Sequence, residues 1–297
     1  MIYLLLAFLQ QTSDSGITHS FLATGSETFI VGSQGQVSWT YPQSTRDGWV
    51  LPNGHLLLAV SKGKAYPSGA AVEIDREGKL LFEFKGTQSE VDTVQPLDTG
   101  NVLLTESGAH PRLLEVRPDG TVAFELALQC QTKNPHMETR MARKLPNGNY
   151  LVPHLLDRKI REYRPDGSVA GEFTTPEEPK ECWPFTAIRL PNGNTLVDLT
   201  HGLRTVEFDP SGQIVWQASN ADLPEPLFAD PCGAQRLPNG NTVVASYGAS
   251  PAGKVKLFEI TPAKKVVWTW TSDRPHGIHT VHVFETGGQP LGGTPLR

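Results

Sequence analysis

Several absences narrow the reading of this chain before any pattern in it is considered. No apolar run approaches the roughly 20 residues that a membrane-crossing helix needs. Residues 2–9, Ile-Tyr-Leu-Leu-Leu-Ala-Phe-Leu, are too short for a span and match the apolar core of an export signal, without its basic lead-in. Charge is thin, at 19% of residues, and slightly acidic in balance, with 26 Lys+Arg against 31 Asp+Glu. That leaves no basic field to attract nucleic acid or an anionic lipid surface. Three cysteines, Cys130, Cys182 and Cys232, cannot all pair within one chain and form no Cys-x-x-Cys motif. They are spaced 182−130=52 and 232−182=50 residues apart, so neighbouring loops could bring two together, and spacing alone does not choose which. A Gly-x-Ser-x-Gly elbow, a P-loop and a dinucleotide-binding fingerprint are missing, and those mechanisms have no basis here. Helical periodicity finds little support.

Turn formers are plentiful, with 28 Gly and 24 Pro, and they recur in order. Leu190-Pro191-Asn192-Gly193-Asn194-Thr195-Leu196-Val197 comes back, nearly letter for letter, from Leu51, Leu97, Leu145 and Leu237. The leading leucines are spaced 97−51=46, 145−97=48, 190−145=45 and 237−190=47 residues apart, a repeat architecture. Pro-Asn-Gly places a positive-φ glycine between two short extended runs, which is a hairpin. Further on, each unit carries a second pair of alternating runs, such as Thr205–Phe208 and Ile214–Gln217 around Asp209-Pro210-Ser211-Gly212. Four antiparallel strands in units of this length are blades of a β-propeller, since ankyrin and leucine-rich units are shorter and mix in helix.

The ends decide the number of blades. Residues 279–284 with Glu285-Thr286-Gly287-Gly288 align with the first strand and turn of a sixth unit, and the chain then nearly stops. Thr28–Val31 and Val37–Tyr41, flanking Ser33-Gln34-Gly35, supply the outer strands that this unit lacks. The expectation is an all-β, six-bladed propeller over residues 18–297, closed by N- and C-terminal strands sharing the last blade, behind an export signal or apolar segment at 1–17. Such closure hides edges that would otherwise invite pairing.

The repeated Arg-Leu-Pro-Asn-Gly-Asn-Thr-Leu-Val, followed by Glu-Phe-Asp-Pro-Ser-Gly and Ile-Val-Trp, resembles the repeat of the arylsulfotransferase-like and PQQ-like bacterial propeller proteins. The resemblance spans residues 20–297 and concerns turn and core letters, so it speaks for fold more than for activity. PQQ itself is not expected, because the tryptophan-docking pattern of the eight-bladed PQQ dehydrogenases is not kept. What the arylsulfotransferase resemblance implies is a channel histidine that becomes sulfated, with histidines and an arginine around it, and His279 is the match.

In a propeller, the Pro-Asn-Gly turns lie on one face, and the loops entering first strands and leaving second strands gather on the other. Five residues before each marker Leu the sequence reads Arg46, Asp92, Arg140, Phe185, Cys232 and His279 around the ring. Glu106, Tyr66, Tyr247 and His276 fall beside them as candidate ligand contacts, and His110, His154 and His201 end second strands in three successive blades. Three functions suit this rim. Arg46 and Arg140 would hold a small anionic or carbohydrate-like ligand for His279 as acid, base or nucleophile, with Asp92 among them. Alternatively His110, His154 and His201 would bind a divalent metal, Zn, Mn or Fe, in a lyase or hydrolase. Or the rim, with Tyr66, Trp183, Phe185 and Tyr247 as anchors, is a non-catalytic platform for a protein or ligand. The expected location is periplasmic or secreted.

Overall fold

A computed structural model describes residues 11–13, 16–178 and 181–297. The apolar core of the expected export signal, residues 2–9, lies outside them. Six sheets of at least four antiparallel strands make up the ring. From channel to rim the first blade runs Thr45–Val50, Leu56–Val60, Ala70–Ile74 and Leu80–Lys85. The second blade begins at Glu90–Pro96, the third at Arg143–Lys144, the fourth at Trp183–Arg189 and the fifth at Pro231–Arg236. Burial follows position within the blade. Leu56–Val60 is covered on both faces by neighbouring blades, whereas the outermost Leu80–Lys85 alternates between exposed and covered residues.

The repeated letters build the turns. Gly193 stands at φ 89°, a left-handed conformation that only glycine adopts without strain. Its N–H donates to Leu190 O at 2.9 Å, and the Asn194 N–H donates to Asn192 Oδ1 at 3.0 Å. The fifth-blade turn has the same bonds through Gly240 and Asn239. In the second blade Thr99 stands where the first, third, fourth and fifth turns have Asn, and accepts from Asn101 N at a longer 3.4 Å.

The sixth blade closes the ring as expected, with one addition. Its inner strand is C-terminal, Thr280–Thr286, and the N-terminal part of the chain supplies three strands rather than two: His19–Thr24, Thr28–Val31 and Val37–Tyr41. His19–Thr24 pairs directly with the inner strand, Leu22 opposite His282. Gln11–Thr12 continues past this blade to pair with Trp270 and Thr269, covering the outer edge of the fifth. The end of the chain turns inward: Arg236 N donates to Leu296 O at 2.9 Å, and the buried Arg297 side chain reaches Asp47 Oδ1 at 3.0 Å. Cys130 and Cys232 carry free thiols. Cys182 is buried, with Arg204 Nη2 at 3.5 Å from its sulfur. Among the described residues no helix is long and apolar enough to cross a membrane.

Candidate functional site

First strands open, and second strands end, on the face opposite the Pro-Asn-Gly turns. There the structure forms a cavity of about 240 Å³. Five of the six mouth residues line it, namely Arg46, Arg140, Phe185, Cys232 and His279. The sixth, Asp92, lies fully buried behind them, 3.1 Å from Arg140 Nη1 and 3.6 Å from Arg46 Nε.

His279 is the most distinctive side chain in the cavity. Its backbone N–H donates to Thr24 O at 2.8 Å, and its ring lies 4.3 Å from the Tyr247 ring and 5.8 Å from that of Phe185, centroid to centroid. Nδ1 is buried without a hydrogen-bond partner, which leaves Nε2 as the nitrogen a ligand can reach. Burial, then the positive charges of Arg46 and Arg140, push its pKa down to about 3. The ring is therefore neutral throughout the physiological range, because a proton there would be both desolvated and repelled.

Both arginines are held from behind. Arg46 Nη2 donates to Glu90 Oε2 at 2.5 Å. Arg140 spends Nη1 on Asp92 and on Thr139 O, and Nη2 on His136 O. Burial lowers its pKa to about 10, partly countered by Asp92. The Arg140 fork is thus committed to the protein, and both guanidinium groups give the cavity their field. The remaining wall is aromatic and hydroxylic: Trp183, Tyr247, His201, Ser26, Ser44 and Ser61. His201 and Asp230 sit there at φ 58° and 47°, strained backbone of the kind found where side chains are held for use.

Other rim candidates go elsewhere. Glu106 accepts from Thr87 and Arg112 on the outer side of the second blade, and Tyr66 donates to Glu83 at 2.8 Å. His276 is exposed and outside the cavity lining. The three histidines expected as a metal set are separated. His110 borders a shallow groove with Thr87, Gln88 and Arg112. His154 is buried between Tyr163 Oη, 3.0 Å from Nε2, and Cys130 Sγ, 3.4 Å from Nδ1, with its pKa lowered to about 3 by burial and Arg161. His201 alone reaches the cavity, against the Trp183 ring at 4.2 Å. Among the described residues no three or more His, Cys, Asp or Glu side chains are grouped as metal ligands. Glu90 is not marked by any sequence signal as a site residue, whereas His136, just before a first strand, is one of six histidines that the repeat places on this rim. Glu90 begins a strand two residues before Asp92, so the spacing rule that finds the mouth passes it by.

No family model and no curated protein matches the chain. Solved structures do. A protein of unknown function from Bacteroides caccae is 24% identical, with a TM-score of 0.75 over 89% of this chain and 98% of that one. A catalytically inactive histidine-to-alanine variant of virginiamycin B lyase from Staphylococcus aureus, solved with quinupristin, is 16% identical, with a TM-score of 0.56 over 76% and 69%. A chain of a nidogen/laminin complex is 11% identical, with a TM-score of 0.64 over 92% and 99%. These similarities concern the propeller fold.

Proposed function

We propose that this propeller is an exported enzyme that takes a small anionic ligand carrying an aromatic or sugar ring into the top-face cavity, where His279 attacks it as a nucleophile. The observation that carries this is His279 itself: a neutral imidazole with one reachable nitrogen, seated on Tyr247 and Phe185 within the field of Arg46 and Arg140. A ring that accepts a proton only near pH 3 is a poor acid and a weak base at neutral pH. With the ring hydrogen on the buried Nδ1, the lone pair lies on the reachable Nε2, which suits a nucleophile. A group carrying negative charge, transferred to Nε2, would gain from two nearby guanidinium charges. Tyr247 and Trp183 offer flat faces to a ring. This is chemistry of the arylsulfotransferase type, and an enzyme of the same fold, the lyase above, is inactive as a histidine-to-alanine variant.

The test is turnover of 4-nitrophenyl sulfate, with phenol as acceptor, by wild type and by His279→Ala, both checked for folding by circular dichroism. The expected loss is at least about a hundredfold, the scale on which removing a catalytic group acts, and mass spectrometry of the wild type should show the transferred group on a peptide containing His279. Equal rates in the two proteins sink the assignment. A second reading, recognition without catalysis, is favoured by the commitment of the Arg140 donors to internal partners. It predicts ligand binding that is measurable by calorimetry and unaccompanied by turnover.

A further inference from the structure

We propose that Glu90 and His136 form a proton-accepting pair, across the ring from His279, that activates the hydroxyl or water to which the group held by His279 is passed. This rests on the His279 reading above. His136 is the middle residue of a short turn, Pro135–Met137, in the segment that leads from the second blade to the third. In a six-bladed ring the third blade stands opposite the sixth, which carries His279. Both histidines line the same cavity.

The proton on His136 can be placed from its neighbours. Nδ1 lies 3.2 Å and 3.1 Å from the two oxygens of Glu90, a carboxylate that is 1% exposed. Glu90 also receives Arg46 Nη2 at 2.5 Å and Lys62 Nζ at 2.6 Å. Burial alone would raise its pKa, but the bond to His136, the Arg46 charge and Lys62 outweigh it and hold the group at about 2. An ionised carboxylate only accepts hydrogen bonds, so His136 Nδ1 carries the hydrogen. Arg46 Nη2 is 3.2 Å from the same nitrogen, but two donors do not bond each other; they share Glu90. In the neutral ring the bare nitrogen is then Nε2, on a side chain that is 57% exposed. Arg140 fixes the residue from behind by donating to its carbonyl oxygen, and Asp92 in turn holds Arg140 and Arg46.

The two histidines thus divide the work. His279 is too weak a base to take a proton, whereas His136 has a carboxylate behind it and a lone pair facing the cavity, an arrangement that orients a general base. In the second half of the reaction the acceptor O–H bond breaks and its proton goes to His136 Nε2. The acceptor oxygen bonds to the transferred group, and the bond from that group to His279 breaks, its electron pair returning to Nε2 of His279. The proton then leaves His136 for solvent, and charge balances without any further reactant.

Two measurements test the pair. Nitrogen-15 imidazole spectra of histidine-labelled protein, with the signal assigned by its loss in His136→Asn, should show His136 as the Nδ1–H tautomer, and Glu90→Gln should abolish that preference. In rapid-mixing kinetics with 4-nitrophenyl sulfate, His136→Asn should still release a first equivalent of 4-nitrophenolate, while transfer to phenol slows at least about tenfold with KM within about twofold. The Nε2–H tautomer in wild type, or equal slowing of both half-reactions, overturns the proposal. Wild type that releases no 4-nitrophenolate overturns the His279 reading and the acceptor step together, and the tautomer then reports separately whether the pair is formed.

Discussion

Asp198 lies fully buried in the second strand of the fourth blade, with Oδ1 bonded to Thr205 Oγ1 at 2.5 Å and Oδ2 without a partner. Burial raises its pKa to about 7, against the opposing bond from Thr205. The folded protein therefore binds a proton there more tightly than the unfolded chain does. Its contribution to stability is complete below pH 3.8 and is lost as pH rises through about 7. A rise of that size corresponds at most to about 4 kcal/mol. Asp198→Asn is expected to unfold at a higher temperature than wild type at pH 8, with the gap closing by pH 4, in calorimetric scans. His154 and His279 work in the opposite sense. Each is depressed to about 3, so the unfolded chain protonates first, and their contribution is present above pH 6.5 and lost as pH falls toward 3. Replacing His154 with Gln should reduce the acid-induced drop in unfolding temperature between pH 6.5 and 4. Histidines alike in sequence position thus differ in role, because an imidazole is defined by what surrounds it.

The repeat contains a clamp that its letters did not reveal. Asn194 Nδ2 donates to Glu207 Oε1 at 2.7 Å within the fourth blade, and Arg236 of the fifth donates to Glu207 Oε2 at 3.2 Å. One blade back, Asn149, Glu162 and Arg189 repeat this arrangement. Between the fifth and sixth blades, Asn241 meets Glu259 at 2.6 Å and His19 Nε2 takes the arginine's place at 2.9 Å. His19 is accordingly a ring fastener. Glu207→Ala should cost about 1.5–3 kcal/mol in urea denaturation, the range for hydrogen bonds to charged groups. It should leave top-face turnover unchanged, since the clamp lies beside the Pro-Asn-Gly turns. Gly277 presents the opposite case. A Cβ there would lie 1.8 Å from the Tyr247 carbonyl oxygen, so Gly277→Ala must displace the backbone that carries the aromatic platform. A loss of about 1–3 kcal/mol together with loss of 4-nitrophenyl sulfate turnover is expected, and turnover at the wild-type rate would remove Tyr247 from the site.

At the scale of the whole molecule, stability depends on the seam in the sixth blade. Phe21 is fully buried against Trp268 and Trp270, with ring centroids 6.0 Å and 5.4 Å away, and it ties the N-terminal strands to the fifth blade. Phe21→Ala should cost about 3–5 kcal/mol and lower the single unfolding transition by circular dichroism, rather than loosening one blade. The end of the chain reinforces the channel: Asp47 is met by Arg143 at 2.9 Å and by Arg297 at 3.0 Å, which together hold its pKa low against burial. By itself the sequence determined the number of blades, their turns, the sharing of the last blade by both ends of the chain and the face on which the mouth opens, but not His19–Thr24, the strand that makes the seam. These follow from local pattern, turn chemistry and period, which neighbouring residues in the chain specify. Only the tertiary structure decided which polar residues meet. It set His279 in one cavity with two guanidinium groups and joined Glu90 to His136 across 46 positions of sequence. It also sent Glu106, Tyr66, His110 and His154 to other surroundings. A side chain's charge, tautomer and reach are set by neighbours that arrive from other blades, and no spacing within one repeat records them.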